Sequence, residues 1–144
     1  MFSRHVETRI LVEASAPRVF EILTDFDAYP RWNRVLRLSL KGEARAGTRA
    51  RLHVQGSPLP IPVRLEVVEP GRELRWGGGV PGMMFGSHYF ELRPVPGARE
   101  QTEIVHAETF KGLLAPLMWP LMRPQLERLY SAINDGLAAF VREA

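Results

Sequence analysis

The sequence contains no cysteine in its 144 residues. This absence excludes a disulfide framework, a zinc-thiolate site and a cysteine nucleophile. Proteins without cysteine are compatible with a reducing compartment, and we expect a cytoplasmic protein.

Long apolar runs are also missing. The longest, Leu113 to Met122, is about half the length needed to span a bilayer, and it contains two prolines. Near the N-terminus, charged residues interrupt the apolar ones before they reach the length of a signal-peptide core. We therefore predict neither a transmembrane helix nor a secretory signal. Contact between the apolar segment and a membrane surface remains open.

The familiar catalytic motifs G-x-S-x-G, H-E-x-x-H and the P-loop are absent. The segment 77–82 matches G-x-G-x-x-G, but nucleotide binding needs that motif where a strand turns into a helix. Pro81 and the strand-like run after it break this context. We instead predict a flexible loop at the mouth of a pocket, with Met83, Met84 and Phe85 as adaptable apolar contacts. No cofactor is predicted.

Negative charge is scarce between Arg31 and Arg51, where Glu43 is the single acid. The seven basic residues of this segment are Arg31, Arg34, Arg37, Lys41, Arg45, Arg49 and Arg51. They are compatible with a patch for an anionic ligand head group, an anionic membrane or a ribosome. The favoured interpretation is a solvated outer sheet face, since they alternate with apolar residues. No nucleic-acid motif accompanies them, so a nucleic acid is not expected as a partner.

Hydrophobic residues make up 45% of the chain and charged residues 24%, which is typical of a globular protein. No repeat or linker divides the sequence, and we predict one domain, 1–144. Alternation of apolar and polar residues predicts seven strands. They are 5–13, 35–40, 48–55, 59–68, 72–76, 87–95 and 101–110. Two short helices are predicted between the first two strands, the first of them capped by Ser15.

Helical spacing returns near the C-terminus, and it predicts a long amphipathic helix from Pro124 to Arg142. Its apolar face comprises Leu126, Leu129, Tyr130, Ile133, Leu137, Phe140 and Val141. The inner face of the strands is the surface large enough to cover it, which predicts an α+β fold with a curved antiparallel sheet around this helix. Prolines 116, 120 and 124 are predicted to prevent a regular helix before it. That earlier segment suits a pocket portal, a membrane-touching lip or an irregular part of the core.

Three segments carry a resemblance to a known family. They are Ala16-Pro17-Arg18-Val19-Phe20, the run from Leu23 to Asn33 that contains Tyr29-Pro30-Arg31-Trp32, and the run Glu108-Thr109-Phe110-Lys111-Gly112-Leu113-Leu114. Together with the order of elements, they resemble the START-like or SRPBCC superfamily over essentially the whole chain. This resemblance implies a helix-grip fold that encloses a deep apolar pocket. It does not imply one reaction, because this superfamily includes carriers, receptors and enzymes.

Polar residues on two neighbouring strands give the best candidate for chemistry. A hairpin turn at 94–98 predicts that His88 lies opposite His106, Phe90 opposite Ile104 and Leu92 opposite Thr102. Glu108 then lies on the same inner face. These residues are compatible with structural polar contacts, orientation of a ligand, proton transfer or a two-histidine-one-carboxylate metal site.

The predicted ligand is a small lipid-like or polycyclic molecule held between the sheet and the last helix. The expected lining is Phe26, Trp32, Trp76, Met84, His88, Phe90, Ile104, His106, Glu108, Leu117, Met118, Leu129 and Ile133. Tryptophans at such positions are more often part of the core than of a ligand pocket. An alternative is an enzyme of the cyclase, dehydratase or isomerase type, with His88, His106 and Glu108 as proton carriers. A second alternative is an interaction module that uses the basic segment. Oligomeric state is not predicted.

Overall fold

The chain folds into seven strands, two α-helices and one short 3₁₀ helix in the computed structural model, which describes residues 2–143. The strands are β1 (Ser3–Val12), β2 (Leu36–Leu40), β3 (Arg49–Val54), β4 (Ile61–Glu69), β5 (Glu73–Val80), β6 (Met84–Val95) and β7 (Ala98–Lys111). The helices are α1 (Ala16–Thr24) and α2 (Ala115–Glu143), and the 3₁₀ helix spans Phe26–Arg31. The predicted α+β class is confirmed.

One antiparallel sheet contains all seven strands, in the order β1-β7-β6-β5-β4-β3-β2. Only β1 departs from chain order, since it pairs with β7. The chain from β1 to β2 therefore crosses between the two sheet edges, and α1 and the 3₁₀ helix lie in this connection. Asn33 ends it, because its side-chain Oδ1 accepts hydrogen bonds from the backbone N–H groups of Val35 and Leu36, both at 2.9 Å.

The C-terminal half of α2 packs against the inner face of the sheet. Tyr130, Ile133, Leu137 and Val141 are buried, as their spacing predicts, and they join the same core as the strand residues. Gly136 lies so close to the 3₁₀ helix that a methyl group there would overlap the carbonyl oxygen of Trp32. The position of α2 therefore depends on the absence of a side chain at Gly136.

The predicted break before this helix is wrong, since α2 begins at Ala115 and continues through Pro120 and Pro124. Both prolines are exposed. Backbone carbonyls that lose their amide donor on an exposed helix side can hydrogen-bond to water, which makes the prolines tolerable. None of the helices in residues 2–143 has the length and apolar character needed to cross a membrane.

The predicted flexible loop at 77–82 is also wrong in part, because Gly77, Gly78 and Gly79 lie inside β5. Gly78 and Gly79 are packed against backbone atoms too closely to accept a side chain, whereas Gly77 faces the end of the flexible Glu66 side chain. A Cβ at Gly77 would lie 2.8 Å from the Glu66 carboxylate, and one at Gly78 would lie 2.7 Å from the Pro62 carbonyl oxygen. The three glycines thus permit close contact between strands and do not mark a mobile loop.

Candidate functional site

Two buried histidines lie in contact on the inner face of the sheet. His88 on β6 and His106 on β7 are 3% and 0% exposed, and their Nε2 atoms are 2.6 Å apart. The shared inner face was predicted correctly, but the register was not. His88 pairs with Glu108, and Phe90 pairs with His106, so the two histidines are diagonal neighbours.

An irregularity at the end of the hairpin explains the wrong register. Pro94 pairs with Thr102, whereas the next residue, Val95, pairs with Ala98. Strand β7 therefore contains three additional residues, 99–101, between these two pairs. Beyond them, each β6 residue pairs with a β7 residue two positions later in the sequence than predicted. A displacement by two leaves every side chain on its original face.

A chain of hydrogen bonds continues from His106 to α2 and β1. His106 Nδ1 is 2.7 Å from Asn134 Oδ1, and the Asn134 amide Nδ2 donates to Thr8 Oγ1 at 2.8 Å. Thr8 in turn donates its hydroxyl proton to the carbonyl oxygen of His106 at 2.9 Å. Three elements of the fold therefore hold the His106 ring in one orientation.

These bonds determine which histidine nitrogen carries a proton. Because Thr8 donates its single hydroxyl proton, Asn134 must turn its amide nitrogen toward Thr8 and its oxygen toward His106. His106 then carries its proton on Nδ1 and accepts at Nε2, so His88 must donate from its own Nε2. The Nδ1 atom of neutral His88 is left as a bare acceptor, and it is buried without a hydrogen-bond partner.

Burial keeps both rings neutral. It lowers the pKa of His106 to about 4, against the opposing effect of the Asn134 hydrogen bond. Burial also lowers the pKa of His88 well below 6.5. Repulsion from His106, when that ring is protonated, and from the charge of Arg75 acts in the same direction. At neutral pH each of the two histidine rings therefore carries a proton on only one of its nitrogens.

Glu108 lies beside this pair and accepts a hydrogen bond from the Tyr130 hydroxyl on α2. Burial raises the pKa of Glu108 to about 7, although the bond from Tyr130 opposes the shift. A Cβ at Gly86 would lie 2.7 Å from Glu108 Oε2, so the glycine makes room for the carboxylate. Glu108 is therefore able to gain or lose a proton near neutral pH. Within residues 2–143, no group of three histidine, aspartate or glutamate side chains is arranged to hold a metal ion.

Aromatic rings surround the histidine pair. Trp76 stacks on His88 with ring centroids 4.3 Å apart, and Phe90 stacks on His106 at 4.3 Å. Tyr130 lies 4.4 Å from His106, measured in the same way. The interior at this point consists of packed rings, and none of five cavities of about 190 to 560 Å³ on the described chain is lined by His88, His106 or Glu108.

Comparison with known proteins identifies the family. A family model described as polyketide cyclase / dehydrase and lipid transport matches residues 3–142. The chain belongs to this family. The resemblance noted from the sequence is thereby confirmed.

Solved structures with the same fold include the ZhuI aromatase/cyclase from Streptomyces sp. R1128, with a TM-score of 0.76 and 20% identity over 97% of this chain and 94% of that chain. A START superfamily protein from Mycobacterium smegmatis has a TM-score of 0.70 and 18% identity, over 96% and 97% of the two chains. Norcoclaurine synthase from Thalictrum flavum has a TM-score of 0.70 and 15% identity, over 99% and 88%. These likenesses show the shared fold. No curated protein matches the sequence.

The residues predicted to line the ligand pocket fall into three groups in the structure. Trp76, His88, Phe90, His106 and Glu108 form the site just described, and Ile104 and Ile133 are buried in the same core. Met84 and Leu129 are partly buried.

The second group lies around Tyr29 in the 3₁₀ helix. The Tyr29 ring is 5.4 Å from the Phe26 ring and 4.7 Å from the Trp32 ring, and all three are buried. The third group is exposed at the start of α2, where Leu117 is 75% and Met118 is 42% exposed. The third tryptophan, Trp119, packs 6.0 Å from Phe110.

Asn134 and Tyr130 are the site residues that the sequence reasoning missed as polar partners. Tyr130 was placed on the apolar helix face, and Asn134 was not considered. Both lie on the buried face, four residues apart. An asparagine next to Ile133 on an otherwise apolar face is the signal that would have found it, because a buried amide requires a hydrogen-bond partner.

Proposed function

We propose that this protein binds a small apolar molecule that carries a hydrogen-bond donor, such as a hydroxyl group, against His88. The observation that supports this proposal is the bare Nδ1 of His88. A buried acceptor without a partner costs about 1 to 3 kcal/mol, and a ligand hydroxyl would remove that cost. The aromatic side chains around it suit the apolar body of such a molecule.

Binding requires some movement, because the rings around His88 are in mutual contact. We expect the movement in the first turns of α2 and in the β5–β6 turn, whose apolar side chains are exposed. The C-terminal half of α2 is expected to stay in place, since Asn134 is tied to both His106 and Thr8.

The test compares 2-naphthol with 2-methoxynaphthalene, which lacks the donor, by calorimetric titration into the wild type and His88→Phe. We expect 2-naphthol to bind the wild type roughly 2- to 12-fold more tightly, the equivalent of about 0.5 to 1.5 kcal/mol for one hydrogen bond. His88→Phe should lose the preference, and His5→Phe on the exposed side of β1 should retain it. Equal affinity of the two compounds for the wild type would overturn the proposal. Mass spectrometry of a solvent extract of the purified protein would identify a natural ligand.

A second candidate is an enzyme in which Glu108 moves a proton. The raised pKa of Glu108, about 7, supports this alternative, because a proton carrier is most effective near the working pH. Deuterium exchange at the α-carbon of 2-tetralone, followed by NMR, provides a test. Exchange above the buffer rate should increase with pH around 7 and disappear in Glu108→Gln. Exchange no faster than in buffer alone would reject this reaction type.

A further inference from the structure

Exposed apolar side chains concentrate at one end of the fold. Ten large hydrophobic residues are exposed on the described chain. Seven of them lie where the N-terminus, the β5–β6 turn and the start of α2 meet, and we call the six most exposed of these the apolar rim: Phe2, Val80, Met83, Leu113, Leu117 and Leu121. Their exposure ranges from 45% for Met83 to 80% for Leu121.

Backbone hydrogen bonds hold the rim together. The N–H of Gly112 donates to the carbonyl of Phe2 at 2.9 Å, and the N–H of Leu113 donates to the carbonyl of Gly82 at 3.0 Å. Leu117 and Leu121 are four residues apart in α2 and therefore share one side of the helix, and Leu113 lies in the turn just before it. These bonds keep the three segments next to one another, so the rim is one continuous apolar surface and not a set of scattered side chains.

The same end of the molecule carries little negative charge, although the exposed carboxylate of Glu66 lies beside it and accepts a hydrogen bond from Ser87 at 2.9 Å. The segments 2–4, 49–63, 77–87 and 109–126 contain no aspartate or glutamate. They contain five cations, which are Arg4, Arg49, Arg51, Lys111 and Arg123. Arg123 is paired with Glu127 at 2.9 Å, whereas Arg51 and Lys111 form no ion pair with any carboxylate of residues 2–143.

Unpaired cations continue from this end onto the outer face of β3 and β4. Arg49 and Arg64 lie directly opposite each other, a like-charge pair that destabilises a sheet. With Lys41 and Arg51 they line a groove of about 440 Å³. On the other half of the outer face, in contrast, cations such as Arg75 and Arg93 pair with glutamates at 2.7 and 2.9 Å.

We propose that the apolar rim docks the protein on an anionic lipid membrane, with Arg51 and Lys111 facing the lipid head groups. Stable attachment to a bilayer surface requires two signals, and the rim provides apolar area while the unpaired cations provide attraction to negative lipids. The described helices do not cross a membrane, so docking is at the surface. This inference does not depend on the function proposed for His88.

The test measures flotation with vesicles of phosphatidylcholine alone and with vesicles that contain 30% phosphatidylglycerol. The wild type should float with the anionic vesicles, and attachment should weaken as salt increases. Leu117→Asp/Leu121→Asp should reduce attachment by roughly tenfold or more, since two apolar contacts are lost. Arg51→Gln/Lys111→Gln should reduce it by roughly fivefold for each cation, the equivalent of about 1 kcal/mol.

Matched control variants have the same chemistry away from the rim. Leu11→Asp removes an exposed leucine, 58% exposed, at the opposite end of β1. Arg99→Gln, near the start of β7, removes an exposed cation that also forms no ion pair within residues 2–143. Both should float like the wild type. Absence of flotation, equal flotation with neutral vesicles, or equal loss in Leu11→Asp would overturn the proposal.

Two other results would assign the rim or its cations to a different partner, and each would overturn the membrane proposal. Salt-sensitive binding of a polyuridine RNA without vesicle attachment would assign the cations to nucleic acid. A dimer in sedimentation analysis that Leu117→Asp/Leu121→Asp dissociates, again without vesicle attachment, would assign the rim to self-association.

Discussion

The two halves of α2 contain similar apolar residues in opposite surroundings. Leu117 and Leu121 in the first half are 75% and 80% exposed, whereas Ile133 and Leu137 in the second half are 1% and 0% exposed. The second half lies on the sheet and holds the side chains that reach His106 and Glu108, whereas the first half contacts the sheet through Trp119, which packs against Phe110. Helical spacing therefore identifies an apolar face, but it does not tell which part of that face is covered.

The largest expected difference between the halves comes from a buried charge. Ile133→Asp should prevent folding, because an unpaired carboxylate in the core costs several kcal/mol of a typical total of about 5 to 15 kcal/mol. Leu121→Asp, the same kind of change in the exposed half, should leave the melting temperature within a few degrees of the wild type. Thermal unfolding followed by circular dichroism makes the comparison. A folded Ile133→Asp variant with an unchanged melting temperature would contradict the placement of this helix face.

Gly136→Ala should have the next largest effect. Alanine normally stabilises a helix relative to glycine, by about 1 kcal/mol. Here the added methyl would overlap the Trp32 carbonyl oxygen, so we expect a net loss of about 1 to 3 kcal/mol in the free energy of unfolding. Urea unfolding measures it, with Ser131→Ala on the exposed side of the same half as the control. An increase in stability would mean that α2 and the 3₁₀ helix are further apart than described.

Removal of the amide that connects α2 to His106 should lower the free energy of unfolding by a similar amount. Asn134→Ala leaves the His106 Nδ1 proton without its acceptor, and we expect a loss of about 1 to 3 kcal/mol. The NMR signal of that ring proton should also exchange with water faster. Gln125→Ala, in the exposed half, should change stability by less than about 0.5 kcal/mol. An equal effect of the two substitutions would contradict the hydrogen-bond chain.

The fold could be predicted from sequence because its periodic patterns are long. Alternation identified all seven strands, and spacing identified the buried residues from Tyr130 to Val141. The start of α2 could not be predicted in this way. Pro120 and Pro124 usually interrupt a helix, and the fact that they are exposed is a tertiary property.

The sequence predicted which strand residues form the site, but it did not predict how they pair or which helix residues they contact. Alternation placed His88, His106 and Glu108 on one face, because a residue's face depends only on its position along the strand. Their pairing depends on the number of residues at the hairpin end, which three additional residues in β7 changed. The contributions of Tyr130 and Asn134 come from α2, and no local pattern relates a helix residue to one partner on a distant strand.

The last expected effect is a pH dependence, and it should arise only beside the buried half of α2. The folded chain binds a proton at Glu108 more tightly than the unfolded chain does, since burial raises its pKa from 4.5 to about 7. The contribution of Glu108 to the free energy of unfolding is therefore fully present below pH 4.5 and is lost as pH rises toward 7. His106 has the opposite effect, because its pKa is lowered from 6.5 to about 4, so its contribution is lost as pH falls through that range. The two slopes oppose each other between about pH 4.5 and 6.5.

Glu108→Gln should separate these contributions. The variant lacks the loss of stability with rising pH, so its free energy of unfolding relative to the wild type should increase between pH 4.5 and 7, by at most about 1.4 kcal/mol per pH unit. Outside this window the difference should be constant. Urea unfolding at half-unit pH intervals measures it, with Glu127→Gln in the exposed half of α2 as the matched control. A constant difference across the whole range would show that the Glu108 carboxylate is hydrated and does not lie against Tyr130.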